Sequence, residues 1–291
     1  MTKILPHSTD SSTWESRGVQ YELKDHVAWI RLHRPEKRNA IDTGMRGAIL
    51  EAIHETTENP EARVGVITGS GPAFSAGADL TQPGGPFDTP AERWVGGPNG
   101  PRRDGIMYCW YRMVDAIWHS ETPFIAAVNG IAIGAGCQLA LGCDIVLAAD
   151  SAEFWEIFVR LGLPLEGGTA WLLSRSLSLV RAQELALHGD RLSAAKAEQW
   201  GLVNAVVPAA DLLDTAQDWA ARLADVPPAG SGPRCQAEPR ELSQRLGHIK
   251  GQVNSAWEQT MWQTFREEVN LLGIQPGPIG GVRPGEEPAP E

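Results

Sequence analysis

Residues 126–149 read AAVNGIAIGAGCQLALGCDIVLAA, and this stretch decides the fold. An apolar run of strand length enters a glycine turn at 129–130, and a second glycine turn follows at 134–136. A short helical pattern then leads into a second apolar run at 144–150. Strand, glycine turn, helix and strand in this order predict an α/β protein with a largely parallel sheet.

The sequence before this stretch repeats the alternation. HVAWIRL (26–32) and RVGVIT (63–68) are apolar or β-branched runs of strand length. Between them Met45, Ile49 and Ile53 recur at four-residue spacing, which predicts a helix with one apolar face. Asp42 or Thr43 can cap this helix, and Asn59-Pro60 ends it.

The sequence after about residue 170 favours helices, with patterns at 180–188, 193–200 and 213–223. Residues 225–240 have the composition of a linker, and a last helix is predicted with Trp257, Met261 and Phe265 on one stripe. Residues 81–106, rich in proline and glycine, are predicted to form a long loop. The predicted divisions are a flexible N-terminus (1–18), an α/β core (19–208), a helical C-terminal region (209–273) and a disordered tail (274–291).

Composition excludes several functional classes. The 291 residues carry a formal charge of −11, from 25 basic and 36 acidic side chains, which argues against nonspecific binding to nucleic acid or anionic membranes. The most apolar stretch is interrupted by polar and turn-forming residues, so no membrane span is predicted. Four cysteines form no CxxC pair, and the first residues lack a secretory signal or transit pattern, which indicates the cytoplasm.

Common catalytic signatures are also missing from the sequence. The seven histidines are scattered, and neither HExxH nor a Cys/His cluster at metal spacing occurs, so no metal is expected. GxSxG and a phosphate loop ending in GK[ST] are absent, which removes the usual hydrolase and NTPase signals.

Two glycine-containing turns remain as candidate chemistry, GSGPAFSAGAD (69–79) and NGIAIGAGCQLA (129–140). A glycine-rich turn between a strand and a helix exposes backbone N–H groups, which can bind an anion or a developing oxyanion. The alternative is that the glycines serve tight turns and close packing. A dinucleotide site is a third interpretation, but Leu139 stands where its fingerprint needs a small residue.

These turns and two further segments resemble the crotonase superfamily, the enoyl-CoA hydratase/isomerase family. The segments are RPEKRNAID (34–42), AFSAGADL (73–80), the stretch 126–149, and GDRLSAAKAEQWGLVNAVVP (189–208). The resemblance covers roughly residues 20–225, in order. It implies a spiral of repeated ββα units, a helical C-terminal trimerisation part, and homotrimers that often pair into hexamers. It also implies an acyl-CoA substrate held in an oxyanion hole, with coenzyme A as part of the substrate and no separate cofactor.

The resemblance places the two oxyanion donors at the backbone N–H groups of Ala78 and Ala135. Hydratases of the family usually have glycine at the second position, and alanine is compatible with a backbone donor if its φ is negative. The resemblance places the basic run near the CoA phosphates and the backbone of 76–80 at the adenine. The implied CoA contacts are Arg34, Lys37, Arg38, Ala40, Ala76, Asp79 and Leu80. The alternative for the basic run is a solvated loop.

The catalytic carboxylates are where the sequence departs from the hydratases. Hydratases of the family use two glutamates to place and activate water, but here those positions hold Gln138 and Phe158. Neither side chain exchanges a proton. Glu153 and Glu156 lie nearby in sequence and are interpreted as ordinary surface or rim charges.

One carboxylate fits a different reaction of the family. Glu166, in LPLEGGT (163–169), stands where the isomerases that convert 3-enoyl-CoA to 2-enoyl-CoA carry a single proton-moving Glu or Asp. The alternative is that Glu166 caps the following helix. The sequence therefore favours an isomerase. A hydratase, a hydrolase or a C–C lyase of the same superfamily remains open, as does a catalytically poor acyl-CoA-binding subunit.

Overall fold

The computed structural model describes residues 14–81, 102–225 and 246–254, apart from 248 and 252. Within these ranges the strands form two sheets, one of six strands and one of four. The strands are β1 (Val19–Lys24), β2 (Val27–Leu32), β3 (Val64–Gly69), β4 (Ala73–Ser75), β5 (Phe124–Val128), β6 (Ile131–Ile133), β7 (Ile145–Ala149), β8 (Glu153–Trp155), β9 (Arg191–Ser193) and β10 (Ala205–Val207).

The helices follow the strands in a regular order. They are α1 (Thr43–Glu58), α2 (Arg102–Trp118), α3 (Ala135–Leu141), α4 (Thr169–Ser176), α5 (Leu179–His188), α6 (Ala194–Trp200) and α7 (Leu212–Ala224). A short 3-10 turn at Phe158–Leu161 lies between β8 and α4.

The larger sheet has the order β1-β2-β3-β5-β7-β10, and the smaller one has the order β4-β6-β8-β9. Neighbours from β2 to β10 in the larger sheet pair in parallel, and β1 pairs antiparallel with β2. Two consecutive strands thus enter different sheets before α2, α3 and α4, in the orders β3-β4-α2, β5-β6-α3 and β7-β8-α4. The predicted α/β class with a largely parallel sheet is confirmed, and the ββα repeat is visible in the chain order.

Helix α1 shows how local sequence produces these elements. The Asp42 side chain accepts a hydrogen bond from the Met45 N–H at 2.8 Å, which satisfies one of the unpaired donors of the first turn. Met45, Ile49 and Ile53 are fully buried, as their spacing predicts. The helix ends where Asn59 is extended, because the residue before a proline avoids the helical conformation.

The structure corrects two element predictions. Helix α2 begins at Arg102, so the predicted loop 81–106 extends five residues too far, into the helix. Strands β9 and β10 lie in the region that was predicted to be helical, and each has only three residues. Such strands are too short to show a period-two pattern.

Several predictions lie outside the described residues. These are the N-terminal residues 1–13, nearly all of the linker 225–240, the stripe of Trp257, Met261 and Phe265, and the tail 274–291. The division into core and C-terminal region stays a prediction. Among the helices that the structure describes, none combines the length and apolarity that a membrane crossing needs.

Candidate active site

Among the described residues, the N–H group of Ala78 has no hydrogen-bond acceptor because of how its neighbours pair. Ala78 forms an isolated parallel bridge with Ile41, in which the Ile41 N–H donates to the Gly77 carbonyl at 2.7 Å. The Asp79 N–H donates to the Ile41 carbonyl at 2.9 Å. Because successive residues of an extended chain point their polar groups to opposite sides, the Ala78 N–H is directed away from Ile41. It is therefore available as a donor.

The N–H group of Ala135 is free for a different reason. Ala135 is the first residue of α3, and the first N–H groups of a helix have no acceptor within the helix. Gly134 precedes it with φ +47°, and its own N–H donates to the Trp155 carbonyl at 3.0 Å. Ala135 is not among the described residues with positive φ, so its methyl group is compatible with this turn.

Close packing of glycines brings the two donors together. A Cβ atom on Gly77 would lie 2.5 Å from the Ile133 carbonyl oxygen and 3.6 Å from the Ala135 nitrogen. A Cβ atom on Gly136 would lie 2.6 Å from the Ser75 Cβ. Side chains at these two positions would separate the turns, so both glycines are required for the donors to face one space.

That space is a cavity of about 190 Å³. Its walls include both donor alanines and one carboxylate, and most of the other lining side chains are apolar. The lining residues are Ala76, Gly77, Ala78, Leu80, Trp110, Ile133, Gly134, Ala135, Gln138, Ile157, Phe158, Leu161, Leu163 and Glu166. The structure thus brings the two predicted donors, both hydratase positions and Glu166 around one apolar cavity.

Glu166 is the carboxylate that lines this cavity. It is half-buried, and desolvation raises the pKa of its carboxyl group above the usual glutamate value of 4.5. Helix α4 begins at Thr169 with Gly168 as its N-cap, and no side chain makes a capping hydrogen bond there. The helix-cap interpretation of Glu166 therefore lacks its defining contact. A carboxylate with a raised pKa beside two free N–H groups is suited to moving a proton.

Gln138 is buried and fastens the turn that carries Glu166. Its Nε2 donates to the Glu166 carbonyl oxygen and to the Thr169 hydroxyl, both at 2.9 Å. Its Oε1 is buried and has no hydrogen-bond partner among the described residues. This oxygen lies against Gly167, where an added Cβ atom would be 2.1 Å away. The Gln138 amide therefore holds the Glu166 turn and supplies neither an acid nor a base.

Phe158, which the family resemblance aligns with the second hydratase glutamate, packs into the cavity wall with 7% of its surface exposed. Trp110 of α2 also lines the cavity and is 3% exposed. The Arg46 guanidinium lies 4.9 Å from the centre of the Trp110 ring, which helps to fix the ring by a cation–π contact. Aromatic side chains thus replace a polar wall at this position.

The three basic residues predicted to bind CoA lie in two different environments. Arg34 uses its guanidinium internally, with 2.7 Å to the Ala40 carbonyl oxygen and ion pairs of 3.0 Å to Asp42 and 3.2 Å to Asp79. Lys37 and Arg38 are exposed at the same surface. Arg34 therefore fastens the loop, while the two exposed cations remain candidates for the CoA phosphates.

Asp79, Thr81 and Leu80 complete that surface. Hydrogen bonds from Thr81, opposed by desolvation, lower the pKa of the Asp79 carboxyl group. Asp79 is 5% exposed and Leu80 is 63% exposed. The carboxylate of Asp79 thus stabilises the segment after Ala78, and Leu80 presents apolar surface at the entrance of the cavity.

The interpretation of Glu156 as a surface or rim charge is wrong. Glu156 has no exposed surface, and neither of its carboxylate oxygens has a hydrogen-bond partner among the described residues. Burial alternates through this segment, so Glu156 shares the inner side with Phe154 and Phe158. Glu153 is half-exposed and pairs with Arg191 at 3.1 Å, which fits the rim interpretation.

Other contributors to the site were missed in the sequence. Asn39 is fully buried, and its Nδ2 donates to the carbonyl oxygens of Ser70, Ala73 and Phe74 at 2.9, 2.8 and 3.1 Å. An asparagine beside a basic run carries no distinct signal, although its φ of +55° is typical of a residue type that tolerates this conformation. Trp110 also lines the cavity, and its place there depends on tertiary structure.

Metal-ligating side chains are dispersed over the described part of the chain. Within the described ranges, His, Cys, Asp and Glu side chains form no group of three or more that could hold a metal ion.

Known proteins of one enzyme family are similar to this chain in sequence. The sequence profile of the enoyl-CoA hydratase/isomerase family matches residues 22–236. A probable enoyl-CoA hydratase of Rhodobacter capsulatus is 36% identical over 71% of the chain and 74% of its own length. The 1,2-epoxyphenylacetyl-CoA isomerase of Escherichia coli is 37% identical over 81% of both chains.

Solved structures show the same fold. A Polaromonas enoyl-CoA hydratase is 32% identical with a TM-score of 0.72, covering 88% of this chain and 90% of its own. A Thermobifida fusca protein assigned as enoyl-CoA hydratase, solved in complex with CoA, is 28% identical with a TM-score of 0.74 and covers 91% of this chain and 96% of its own. The crotonase-like architecture that the sequence predicts is thereby confirmed. The chain belongs to the enoyl-CoA hydratase/isomerase family of acyl-CoA enzymes.

Proposed function

We propose that the protein isomerises 3-enoyl-CoA to 2-enoyl-CoA, with Glu166 as the catalytic residue. The observation that carries the proposal is the composition of the cavity wall. Glu166 lines the cavity together with the N–H groups of Ala78 and Ala135. Gln138 and Phe158 line it at the positions that the family resemblance assigns to the hydratase glutamates. The name of the Escherichia coli relative, an isomerase, is compatible with this reaction.

The proposed reaction is a proton transfer in two steps. The Glu166 carboxylate removes a proton from C2 of the thioester, and the electron pair of that C–H bond moves into a conjugated dienolate. The negative charge on the thioester oxygen is stabilised by the N–H groups of Ala78 and Ala135, each worth about 3 to 4 kcal/mol in comparable sites. The carboxylic acid then returns the proton to C4, so the double bond moves from C3–C4 to C2–C3.

The apolar lining supports the proton transfer. Desolvation raises the pKa of the Glu166 carboxyl group, which makes the carboxylate a stronger base once it is ionised. Hydration requires in addition a water molecule that is positioned and activated by an acid and a base. The amide of Gln138 and the ring of Phe158 supply neither function at their positions.

The two exposed cations complete the proposed substrate contacts. We propose that Lys37 and Arg38 lie near the phosphates of CoA, and that the backbone of 76–80 contacts the adenine. The net charge of −11 does not oppose this binding, because exposed charges are screened beyond about 8 Å at physiological salt. The CoA-bound Thermobifida fusca structure supports an acyl-CoA ligand for this fold.

A hydratase is the second candidate, because relatives such as the Rhodobacter capsulatus protein carry that name. One assay separates the two reactions. Incubation with 3-enoyl-CoA is expected to yield the conjugated thioester, which absorbs in the near ultraviolet, and incubation with 2-enoyl-CoA is expected to leave this absorbance nearly unchanged. Efficient loss of absorbance from 2-enoyl-CoA would contradict the isomerase proposal.

The Glu166→Gln variant tests the proposed role of the carboxylate. It keeps the size of the side chain but removes the base, so turnover is expected to fall about 100-fold or more, with thioester affinity nearly unchanged. Glu153→Gln removes a carboxylate at the rim and is expected to retain the wild-type rate. Steady-state kinetics and calorimetric binding of a saturated acyl-CoA measure both quantities. A Glu166→Gln enzyme with wild-type turnover would sink the assignment.

A further inference from the structure

The most unusual group behind the cavity is the carboxyl of Glu156. It follows directly after strand β8, has no exposed surface, and neither oxygen has a hydrogen-bond partner among the described residues. The next two residues, Ile157 and Phe158, line the cavity. A buried carboxyl without partners is costly when ionised and demands an explanation.

Cys137 is the side chain that acts on the pKa of the Glu156 carboxyl. Cys137 lies in the first turn of α3, two residues after Ala135, and is fully buried. Desolvation, with the neighbouring Glu156 as a smaller contribution, raises the pKa of the Cys137 thiol well above its usual value, so the thiol stays protonated. Desolvation raises the pKa of the Glu156 carboxyl to about 7, against a smaller lowering effect of the Cys137 thiol.

Charged groups on the surrounding elements are engaged elsewhere. The elements packed around β8 and the following turn are β6, which carries no ionisable side chain, β9, α6 and, beside the turn, α5. Their described ion pairs join Arg191 to Glu153, Lys196 and Arg181 to Glu184, and Asp190 to both Arg160 and His188. Glu198 accepts a hydrogen bond from the Val206 N–H. None of these groups is a hydrogen-bond partner of the Glu156 carboxyl.

The position of Glu156 connects it to the oxyanion hole. The Gly134 N–H donates to the carbonyl oxygen of Trp155, the residue before Glu156, so the turn that presents Ala135 is attached to the end of β8. A neutral carboxyl at Glu156 packs against Cys137 without adding charge. An ionised carboxylate there adds a negative charge behind the N–H groups that must stabilise a negative oxygen, and like charges repel strongly in a poorly solvated interior.

We infer that Glu156 is a positioning residue of the oxyanion hole, which holds the first turn of α3 as a neutral acid and weakens the hole when it ionises. The inference rests on the proposed function for its kinetic test. It assigns the two carboxyl groups opposite requirements, because Glu166 acts as a base only when ionised and Glu156 supports the hole only when protonated.

The pH dependence of turnover tests this inference. Wild-type turnover is expected to rise on the acid side as Glu166 ionises and to fall roughly tenfold or more on the alkaline side as Glu156 ionises. Glu156→Gln is neutral at every pH and is expected to lose the alkaline decrease while retaining the acid limb. Glu153→Gln is the control with the same charge change, and it is expected to retain both limbs. An alkaline decrease of wild-type size in Glu156→Gln would overturn the inference.

A second variant keeps the test decisive if Glu156→Gln does not fold. Cys137→Ala removes the thiol that favours the ionised carboxylate, so Glu156 is expected to ionise at higher pH. The alkaline decrease in turnover is therefore expected to shift to higher pH. A purely structural role of Cys137 would lower turnover at all pH values without moving the limb. An unmoved limb in Cys137→Ala would contradict the proposed contact.

A ligand readout separates this inference from the isomerase proposal. Acetoacetyl-CoA forms a stable enolate whose near-ultraviolet absorbance reports the oxyanion hole without turnover. The enolate signal of the wild type, divided by that of Glu156→Gln, is expected to fall as pH rises through about 7. If this ratio falls but 3-enoyl-CoA is not isomerised, the isomerase proposal is overturned and the role of Glu156 is retained. A constant ratio, or the absence of an enolate signal in both proteins, overturns the role of Glu156.

Discussion

At the scale of single residues, the turn after Glu166 depends on a contact between Gly167 and Gln138. Gly167 has a φ of +59°, and an added Cβ atom would lie 2.1 Å from the Gln138 Oε1. The Gln138 side chain is buried and cannot move aside without breaking its bonds to the Glu166 carbonyl and the Thr169 hydroxyl. Glycine is therefore required here both by backbone conformation and by space.

A matched pair of glycine variants separates the two requirements. Gly201→Ala changes a residue with φ +79° and no atom within 4 Å of the new Cβ, so it is expected to cost about 1 to 2 kcal/mol of unfolding free energy. Gly167→Ala adds the collision with Gln138 and is expected to cost about 1 to 3 kcal/mol more. It also displaces Glu166, so only this variant is expected to lose turnover. Urea unfolding and kinetics measure both effects, and equal losses would show that Gln138 yields freely.

At the scale of elements, the sequence predicts the longer strands and helices, in which an apolar pattern is repeated. The strands β2, β3, β5 and β7 are continuous apolar runs, and the spacing in α1 identifies its buried face. Strands β9 and β10 have three residues each, and their pairing with distant strands leaves no local signal. Tertiary contact alone decides such elements.

The segment from Glu153 to Phe158 contains a buried carboxyl group that the sequence-based interpretation placed at the surface. The period-two pattern of β8 continues past its last residue, so that Phe154, Glu156 and Phe158 are buried while their neighbours are partly exposed. This alternation was present in the sequence, but a glutamate within it was interpreted by its charge. The donors at Ala78 and Ala135 were predictable through the glycine turns, whereas the cavity contacts of Trp110 arise from packing between distant segments.

The buried Glu156 carboxyl makes the stability of this segment pH-dependent. Its pKa is about 7 in the folded protein, against 4.5 for an ordinary glutamate, so the folded state holds the proton more strongly between these values. Stability from this group is fully present below pH 4.5 and is lost as pH rises through about 7, by about 3 kcal/mol in total. Glu156→Gln is therefore expected to exceed the wild type in stability at pH 8 and to differ little at pH 5. Urea unfolding at fixed protein concentration measures this, with Glu153→Gln as the exposed control; a pH-independent difference would contradict the assignment.

At the scale of the whole molecule, helix α5 leaves an apolar stripe uncovered in the single chain. Leu179, Val180 and Leu187 are 65%, 70% and 70% exposed, and their spacing places them along one side of the helix. Exposed apolar patches of this kind are typical of surfaces that associate. The homotrimer or hexamer implied by the family resemblance is therefore the expected assembly. Light scattering at micromolar concentration measures it, and a monomer would contradict it.

The segment 246–254 is joined to the α/β core by a buried ion pair. Lys250 Nζ lies 2.9 Å from the Asp144 carboxylate and donates to the Ile117 and Thr122 carbonyl oxygens at 2.6 and 3.3 Å. Desolvation raises the pKa of the Asp144 carboxyl, while Lys250 and the Phe124 N–H lower it. The cation thus stabilises a carboxylate that would otherwise be buried without a neutralising charge.

Removing the cation alone is expected to be costly. Lys250→Met leaves Asp144 unpaired and is expected to lower the unfolding free energy by about 3 kcal/mol or more. Adding Asp144→Asn removes the stranded charge while an amide oxygen still accepts from the Phe124 N–H, so the double variant is expected to recover part of this loss. Lys196→Met breaks an exposed pair of 3.4 Å with Glu184 and is expected to cost less than about 1 kcal/mol. Urea unfolding measures the loss of unfolding free energy in each variant. Equal losses in the two lysine variants would mean that the Lys250–Asp144 pair contributes no more than an exposed pair, which would contradict its role in joining the segment to the core.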